Sequence, residues 1–451
     1  MISPAFVRRV CASLARPRGG GGVKDRYGND LTTVSSAARD AYVAAVDNFL
    51  AAGPNTSNAF LKVVELDDGF ALAHAGLARA YQSFGRGAEA RQALEAAEAR
   101  LGGVTPREAS HVAMLGLAIR GKSEQARLAA MAHAVEWPRD AIITGTLMGV
   151  FSLLGFSGRP GREIENLSIS ESLAPHFGDD WWFLAQLSFA QLESGLLDAA
   201  QPNIERALEL HPRNANAAHY RAHLYYEMGE TREGLAFLSD WMTDYDRAGL
   251  MHCHNSWHIA LWSLATGDEA GMWARVDQDL RPGVSLSPSL NILTDLAALY
   301  ARAEWAGIRV APERWKELST YAIREFPKPG VQFADIHAAL AHAMAGEGAA
   351  LERLVRDAAG PAADIVQPTA EAFGALARMD WASALSLLTP VMSQHARFGG
   401  SRAQRDIVEY AVAIALLRLG KGQEAARLLA MHRPRTDFRS ALPDLPELSV
   451  A

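Results

Sequence analysis

Glycine residues recur along the chain at a nearly constant interval, each after a segment with helical character. The six glycines are separated by 34 to 40 residues and lie at Gly85, Gly121, Gly155, Gly195, Gly229 and Gly267. A period near 34 is typical of repeats built from two antiparallel helices joined by a tight turn. One such hairpin buries its apolar face only when the next hairpin stacks on it. The period therefore predicts an all-α fold, an α-solenoid of tetratricopeptide-like hairpins whose superhelix is long enough to close around a central pocket.

Two consecutive repeats are especially clear, Trp181–Asn214 and Ala215–Gly249. In the first, large apolar residues and alanines recur three and four positions apart, which is the spacing of one helix face. His211 and Pro212 end that repeat, where a proline commonly follows a helix. We take helix A of each repeat to be the first helix of the hairpin.

The chain divides into four predicted segments. Residues 1–26 form a basic tail, which has the composition of a flexible terminus and less closely resembles a targeting leader. Residues 27–280 hold the regular repeats, and residues 281–437 continue the same superhelix with degenerate repeats. Loops rich in proline, serine or glycine are predicted at Arg281–Ser289, Phe326–Gly330 and Ala359–Pro368. Residues 438–451 form a C-terminal tail.

Composition excludes several classes of function. The hydrophobic fraction of 49% is that of a folded protein, and the net charge of -7 comes without a basic block. We therefore expect no nucleic-acid partner. No window approaches the roughly 20 apolar residues of a membrane span, so no membrane partner is expected. Two cysteines are too few for a disulfide framework, which favours a reducing, cytoplasmic location.

Histidines are concentrated in the two helices that follow Asn214 and Gly249. Five of the 14 histidines lie between residues 219 and 258. His219 and His223 are four residues apart, as are His254 and His258, so each pair occupies one helix face. Helices A of neighbouring hairpins lie side by side, about 10 Å apart. The two pairs are therefore expected to face each other inside the superhelix.

Three interpretations of this cluster remain open from the sequence. Paired histidines at this spacing can bind zinc, although a His-Glu-x-x-His motif is absent. They can also act without a metal as acid, base or anion-binding groups, which is the interpretation we favour. Buried histidines held by backbone carbonyls, without any function, are the third.

Other polar residues lie in helices that are otherwise apolar. Asp335 either caps its helix or orients His337 two residues later. Asp295, among leucines and alanines, either faces solvent or has a buried partner. The segment Gly399–Asp406 opens a helix whose free amides and guanidiniums suit an anion, or it is simply a capped helix.

Several of these strings resemble motifs of the tetratricopeptide-repeat protein 38 family. The matching strings are His252-Cys253-His254-Asn255-Ser256-Trp257-His258, His219-x-x-Ala222-His223, Phe333-Ala334-Asp335-Ile336-His337 and Gly399-Gly400-Ser401-Arg402-Ala403-Gln404-Arg405-Asp406. The resemblance spans roughly residues 27–432. It implies a helical-repeat fold and an intracellular protein, and it implies no particular reaction.

The leading hypothesis is a solenoid that binds a small polar or anionic molecule in a histidine-rich interior pocket, with metal-independent acid-base chemistry and no cofactor. The candidate catalytic residues are His223, His254, His258, Asp335 and His337. The candidate ligand-binding residues are His219, Asn255, Asp295, Gln404, Arg405 and Asp406. The alternative is a non-catalytic scaffold that binds a partner peptide in its concave groove. Either protein is compatible with a homo-oligomer.

Overall fold

Helices connected by short turns make up the described part of the chain. The computed structural model describes residues 23–436, 438 and 442–447. The predicted basic tail thus lies mostly outside the described residues, as does part of the predicted C-terminal tail. Within the described residues no strand is present, and the one β-type pairing is an isolated bridge between Lys24 and Asp30. The predicted all-α class is confirmed.

The helices of the first half are α1 (Ser36–Leu50), α2 (Thr56–Leu66), α3 (Ala71–Ser83), α4 (Gly87–Glu98), α5 (Pro106–Ile119), α6 (Ser123–Glu136), α7 (Ala141–Gly145), α8 (Arg162–Phe177), α9 (Trp181–Glu193), α10 (Leu197–Leu210) and α11 (Ala215–Met228). Those of the second half are α12 (Thr231–Met242), α13 (His252–Ala265), α14 (Glu269–Arg275), α15 (Ser289–Trp305), α16 (Pro312–Glu325), α17 (Gln332–Met344), α18 (Gly348–Asp357), α19 (Ala363–Ala377), α20 (Trp381–Met392), α21 (Arg402–Arg418) and α22 (Gly422–His432).

The hairpins stack as a tetratricopeptide-like solenoid. Helices α9 and α10 form one hairpin and α11 and α12 the next, as the two clearest repeats predicted. Gly195 and Gly229 end helices A in the left-handed region, with φ of 80° and 75°. A residue with a Cβ adopts that conformation only with strain, which explains the periodic glycines. Stacking continues past residue 280, where α13 packs on α15 and α15 on α17.

Two local predictions fail. Gly155 does not join two helices of a hairpin, but lies in a turn-rich segment, 146–161, where a Cβ would stand 2.1 Å from the Val150 carbonyl oxygen. It is a glycine because of that close approach. The predicted loop Ala359–Pro368 is too long, because α19 begins at Ala363 and includes Pro368. Pro368 has no amide to donate to the Asp364 carbonyl, so the helix lacks one backbone hydrogen bond at that point.

The superhelix closes on itself. The Ala215 amide donates to the Ala51 carbonyl at 2.9 Å, which joins the first hairpin to the middle of the chain. Arg162 donates to the Gly400 carbonyl at 2.6 Å, and Arg397 donates to the Gly158 carbonyl at 2.9 Å. The last two bonds connect residues more than 200 positions apart, so the two halves of the solenoid enclose a common interior.

Helix α21 fills much of that interior. All of its residues from Ala403 to Leu416 are buried, and it packs against both α11 and α15. A helix that is buried on every side belongs to a core and not to a surface. Helix α13 is similarly buried from His252 to Leu264. Among the described residues, no helix combines the length and apolarity that a membrane span requires.

Candidate metal centre

Two histidine pairs meet in the interior, between α11 and α13. Asn214 caps α11 by accepting from the Ala217 amide at 3.1 Å, which fixes the start of the helix and therefore the direction of its faces. His219, His223, His254 and His258 each present one ring nitrogen, and these four atoms all lie within 4.8 Å of one another. Side chains from two repeats thus converge on a single point, as the spacing predicted.

The four rings are packed without solvent. Each is at most 3% exposed, and the ring centroids of His219 and His254 are 4.7 Å apart. The Nε2 atoms of His219 and His223 approach to 2.8 Å. Most remaining ring nitrogens have no hydrogen-bond partner in the structure: His219 Nδ1, His223 Nδ1, His254 Nε2 and both nitrogens of His258. Buried polar atoms are nearly always satisfied, so this cluster of orphaned nitrogens requires an explanation.

Burial keeps three of these imidazoles neutral. Desolvation lowers the pKa of His219, His223 and His258 well below the usual range, and the neighbouring imidazoles lower it further. A neutral imidazole carries a free lone pair, which is the form that binds a metal ion.

The geometry of the cluster fits a single transition-metal ion. With metal–nitrogen bonds of about 2.0–2.1 Å, a tetrahedral ion holds its ligand nitrogens about 3.4 Å apart. One pair of ring nitrogens is 2.8 Å apart and the four ligand atoms lie no more than 4.8 Å apart, a range that includes this value. Imidazole ligands suit zinc, copper, iron and nickel. Small rotations of the four rings would therefore complete an all-nitrogen coordination shell.

One carboxylate supports the cluster from behind. His254 Nδ1 donates to Asp295 on α15 at 2.9 Å, which directs His254 Nε2 towards the other rings. Asp295 is fully buried, and burial raises its pKa above the usual value. His254 and the adjacent Gln404 offset part of that rise. A carboxylate on the outer nitrogen is a common partner of a metal-bound imidazole, where it fixes ring orientation and basicity. The sequence left open whether Asp295 faces solvent or has a buried partner, and the structure shows the buried partner, His254.

The helix start at Gly399–Asp406 joins three parts of the solenoid. Ser401 accepts from the Gln404 amide, and the Gln404 side chain accepts from the Ser401 amide, so the two form a capping box. Arg405 pairs with Glu163 at 3.0 Å and donates to the Gly400 carbonyl. The guanidinium of Arg405 thus already has a carboxylate and a carbonyl as partners. Its role in binding an anionic ligand stays a prediction, and these contacts do not favour it.

Asp406, the last residue of that segment, connects to the edge of the histidine cluster through Tyr226. The Tyr226 hydroxyl donates to Asp406 at 2.8 Å, and Arg433 donates to the other carboxylate oxygen. The Tyr226 ring lies 6.5 Å from the His258 ring.

Asp335 does not orient His337. The two residues are two apart on α17, so their side chains leave the helix in different directions. His337 Nδ1 instead donates to the Phe333 carbonyl at 2.7 Å, and Asp335 accepts from the Gly330 amide at 2.9 Å. Asp335 therefore ties down the chain that enters α17. Burial raises the pKa of Asp335 to about 7.

Asn255 is buried beside the cluster without hydrogen-bond partners. Both atoms of its amide group are unsatisfied, and the residue is 0% exposed. Its role in binding a ligand stays a prediction.

A cavity that the sequence did not reveal adjoins the cluster. It measures about 380 Å³ and lies between α11, α13, α15 and α21. Tyr226 and Trp262 line this cavity, and their rings lie 6.5 Å and 5.9 Å from the His258 ring. One layer of side chains therefore separates the cavity from the histidines. Arg302 also lines this cavity. The sequence signal that could have indicated Arg302 is its position seven residues after Asp295, because residues seven apart share a helix face.

Comparisons with known proteins give weak similarities. No family model matches the chain. The solved structure of yeast Tom70 is 14% identical over 90% of this chain and 85% of that chain, with a TM-score of 0.35. The Naa15/Naa10 structure with bound HypK-THB is 12% identical over 90% of this chain and 64% of that chain, with a TM-score of 0.23. At these scores the similarities carry no argument about function, and the class of the protein, a tetratricopeptide-like helical repeat, follows from its own hairpins.

Proposed function

We propose that this protein binds one first-row transition-metal ion on His219, His223, His254 and His258, as a closed four-nitrogen site, and that it binds a small polar or anionic molecule in the adjoining cavity inside the superhelix. The observation that carries the proposal is the convergence of four buried ring nitrogens within 4.8 Å of one another. Zinc is the first ion to test, because it accepts four imidazoles in a tetrahedral shell without strain.

The metal-dependent interpretation replaces the metal-independent one that the sequence favoured. Acid-base catalysis without a metal needs a group whose pKa lies near the working pH. Burial instead moves the pKa of His219, His223 and His258 well below that range. The same burial leaves orphaned lone pairs, for which a cation is the simplest partner.

We also propose that the chain is a member of the tetratricopeptide-repeat protein 38 family. The support is the set of strings in the sequence. Those of α11 and α13 supply the four histidines of the cluster, and that of α21 supplies Gln404, which lies beside Asp295, the partner of His254.

The scaffold that binds a partner peptide remains the second candidate, and the helical-repeat fold favours it. A peptide groove requires the concave faces of helices A to be open to a partner. Helix α21 packs against two of these helices, α11 and α15, and the histidine-bearing face of α13 is buried. Any partner peptide would therefore bind outside this region.

Titration with Co²⁺, followed by its visible absorption, tests the metal centre. Protein treated with a chelator is expected to bind about one Co²⁺ per chain and to give the intense absorption of tetrahedral coordination. His223→Ala and His258→Ala are expected to weaken binding at least a hundred-fold, because each removes a ligand. The matched control is His133→Ala, another buried histidine, which is expected to bind Co²⁺ as the wild type does. Wild-type protein without a saturable cobalt spectrum would refute the metal centre.

A further inference from the structure

Arg302 differs from the other buried arginines in its surroundings. The described part of the chain buries six guanidinium side chains, those of Arg107, Arg127, Arg162, Arg302, Arg405 and Arg433. Five of them have a carboxylate oxygen within 4.0 Å. For Arg302, at 3% exposure, no described carboxylate lies within that distance. The charge of Arg302 acts on the buried carboxylates Asp295 and Asp406, whose pKa it lowers, but neither forms a direct ion pair with it. A buried guanidinium without a direct ion pair is a candidate to bind an anion.

The contacts of Arg302 hold it in place and leave donors free. Nη2 donates to the Ala403 carbonyl at 2.7 Å and Nη1 donates to the Ala298 carbonyl at 3.3 Å. The guanidinium carbon lies 5.6 Å from the Trp257 ring centroid and 5.4 Å from that of Tyr410. Two of its five N–H groups are thus used, and Nε is buried without a partner. A guanidinium fixed between two aromatic rings is pre-organised for an oxyanion.

The cavity that Arg302 lines has the matching shape and polarity. Its volume of about 380 Å³ is at the lower end of the range for small-molecule pockets. Among the described residues, the only charged side chains that line it are cationic, those of Arg302 and Arg232. Its apolar wall is made by Leu261, Trp262 and Leu264 of α13, the helix that carries His254 and His258.

We propose that this cavity binds a small organic oxyanion, a carboxylate or phosphate on an apolar body, with its anionic group on Arg302. The apolar body packs on the α13 wall, next to the ring of Trp262 that contacts His258. This inference rests on the proposed function for the neighbouring metal ion, whereas the anion site itself depends on Arg302 and the cavity.

Calorimetric titration with three probes of similar size tests the inference. Benzoate and phenyl phosphate supply the two anionic groups, and benzamide is the neutral control. Zinc-loaded protein is expected to bind at least one of the anions with a Kd below about 1 mM and at least tenfold more tightly than benzamide. The tighter of the two anions identifies the headgroup as carboxylate or phosphate.

The variant Arg302→Gln is expected to lose at least tenfold in affinity for that anion while it keeps its zinc. Arg302→Lys keeps the charge without the planar fork, and an intermediate affinity is expected; it also replaces Arg302→Gln if the latter does not fold. The matched control is Arg324→Gln, which changes an arginine of another surface cavity and is expected to bind as the wild type does. Equal binding by Arg302→Gln and wild type, or no preference for the anions over benzamide, would overturn the inference.

The same titration on protein treated with a chelator separates the two proposals. Binding of the anion that depends on Arg302 in a protein that takes up no zinc would refute the metal centre and support the anion site. Zinc uptake without anion binding would do the reverse.

Discussion

Two buried histidine clusters lie in different parts of the superhelix, and they differ in where their ring nitrogens find partners. In the first, Asp140 accepts from Arg107 at 2.7 Å, from His111 at 2.9 Å and from His133 at 3.2 Å. Ser110 donates to the other nitrogen of His133 at 2.9 Å. One carboxylate thus satisfies a guanidinium and two imidazoles, and among the ring nitrogens only His111 Nε2 is left without a partner.

In the second cluster the imidazoles face one another. Only His254 has a carboxylate, Asp295, and five ring nitrogens of the four histidines are unsatisfied. The comparison shows that burial alone does not distinguish a structural histidine from a ligand. The distinction lies in whether each nitrogen has a protein partner or whether several unpartnered nitrogens lie close to one another.

Asp140→Asn is expected to have the largest effect on stability. It leaves three donors, one of them a buried guanidinium, without their anion, which costs about 3–5 kcal/mol in the free energy of unfolding. Urea unfolding measures the loss. The matched control is Asp179→Asn, which removes an exposed carboxylate paired with Arg206 and is expected to cost little stability. Equal losses for the two variants would show that the Asp140 cluster contributes no more than a surface ion pair.

The pH dependence of the Asp140 effect follows from its pKa. Burial raises that pKa, but His111 and Arg107 outweigh burial and hold it well below the usual value of 3.8. A carboxyl group whose pKa is depressed in the folded state stabilises the protein above its unfolded pKa, and this contribution is lost as the pH falls through the folded pKa. The difference in unfolding free energy between wild type and Asp140→Asn is therefore expected to stay constant from neutral pH to about pH 4 and to shrink below it.

Asp295→Asn is expected to have a smaller effect, on metal affinity. The asparagine no longer orients His254 as an anion does, and loss of such a carboxylate typically costs 10- to 100-fold in affinity. Competition with a chelator measures the loss. Asp140→Asn serves as the control here, since its carboxylate contacts other histidines. If both variants held the metal equally well, Asp295 would have no part in the centre.

The sequence predicted the local features of this centre better than their assembly. The spacing of four residues placed His219 with His223 and His254 with His258, because helix periodicity is a local property. The contact between the pairs depends on how the hairpins pack. That the two pairs face each other was therefore a hypothesis until the superhelix was known. In the superhelix their four ligand nitrogens lie within 4.8 Å of one another.

Arg405 and Arg302 show why the remainder of the site was harder to predict. Arg405 has the residue type of an anion clamp, yet the closure of the superhelix brings Glu163 against it. Arg302 was not among the predicted site residues, because the local sequence does not distinguish an arginine that forms an ion pair from one that does not. The partner that decides the role of the Arg405 guanidinium, Glu163, is therefore 242 positions away in the sequence.

Elemental analysis of protein purified without chelators tests the four-histidine centre most directly. We expect about one first-row transition-metal ion per chain in the wild type, because four imidazoles complete a tetrahedral shell. The double variant His219→Ala/His258→Ala is expected to contain less than about a tenth of that amount, whereas His111→Ala/His133→Ala, if folded, keeps the full amount. A wild type with no more metal than the His219→Ala/His258→Ala variant would contradict the account.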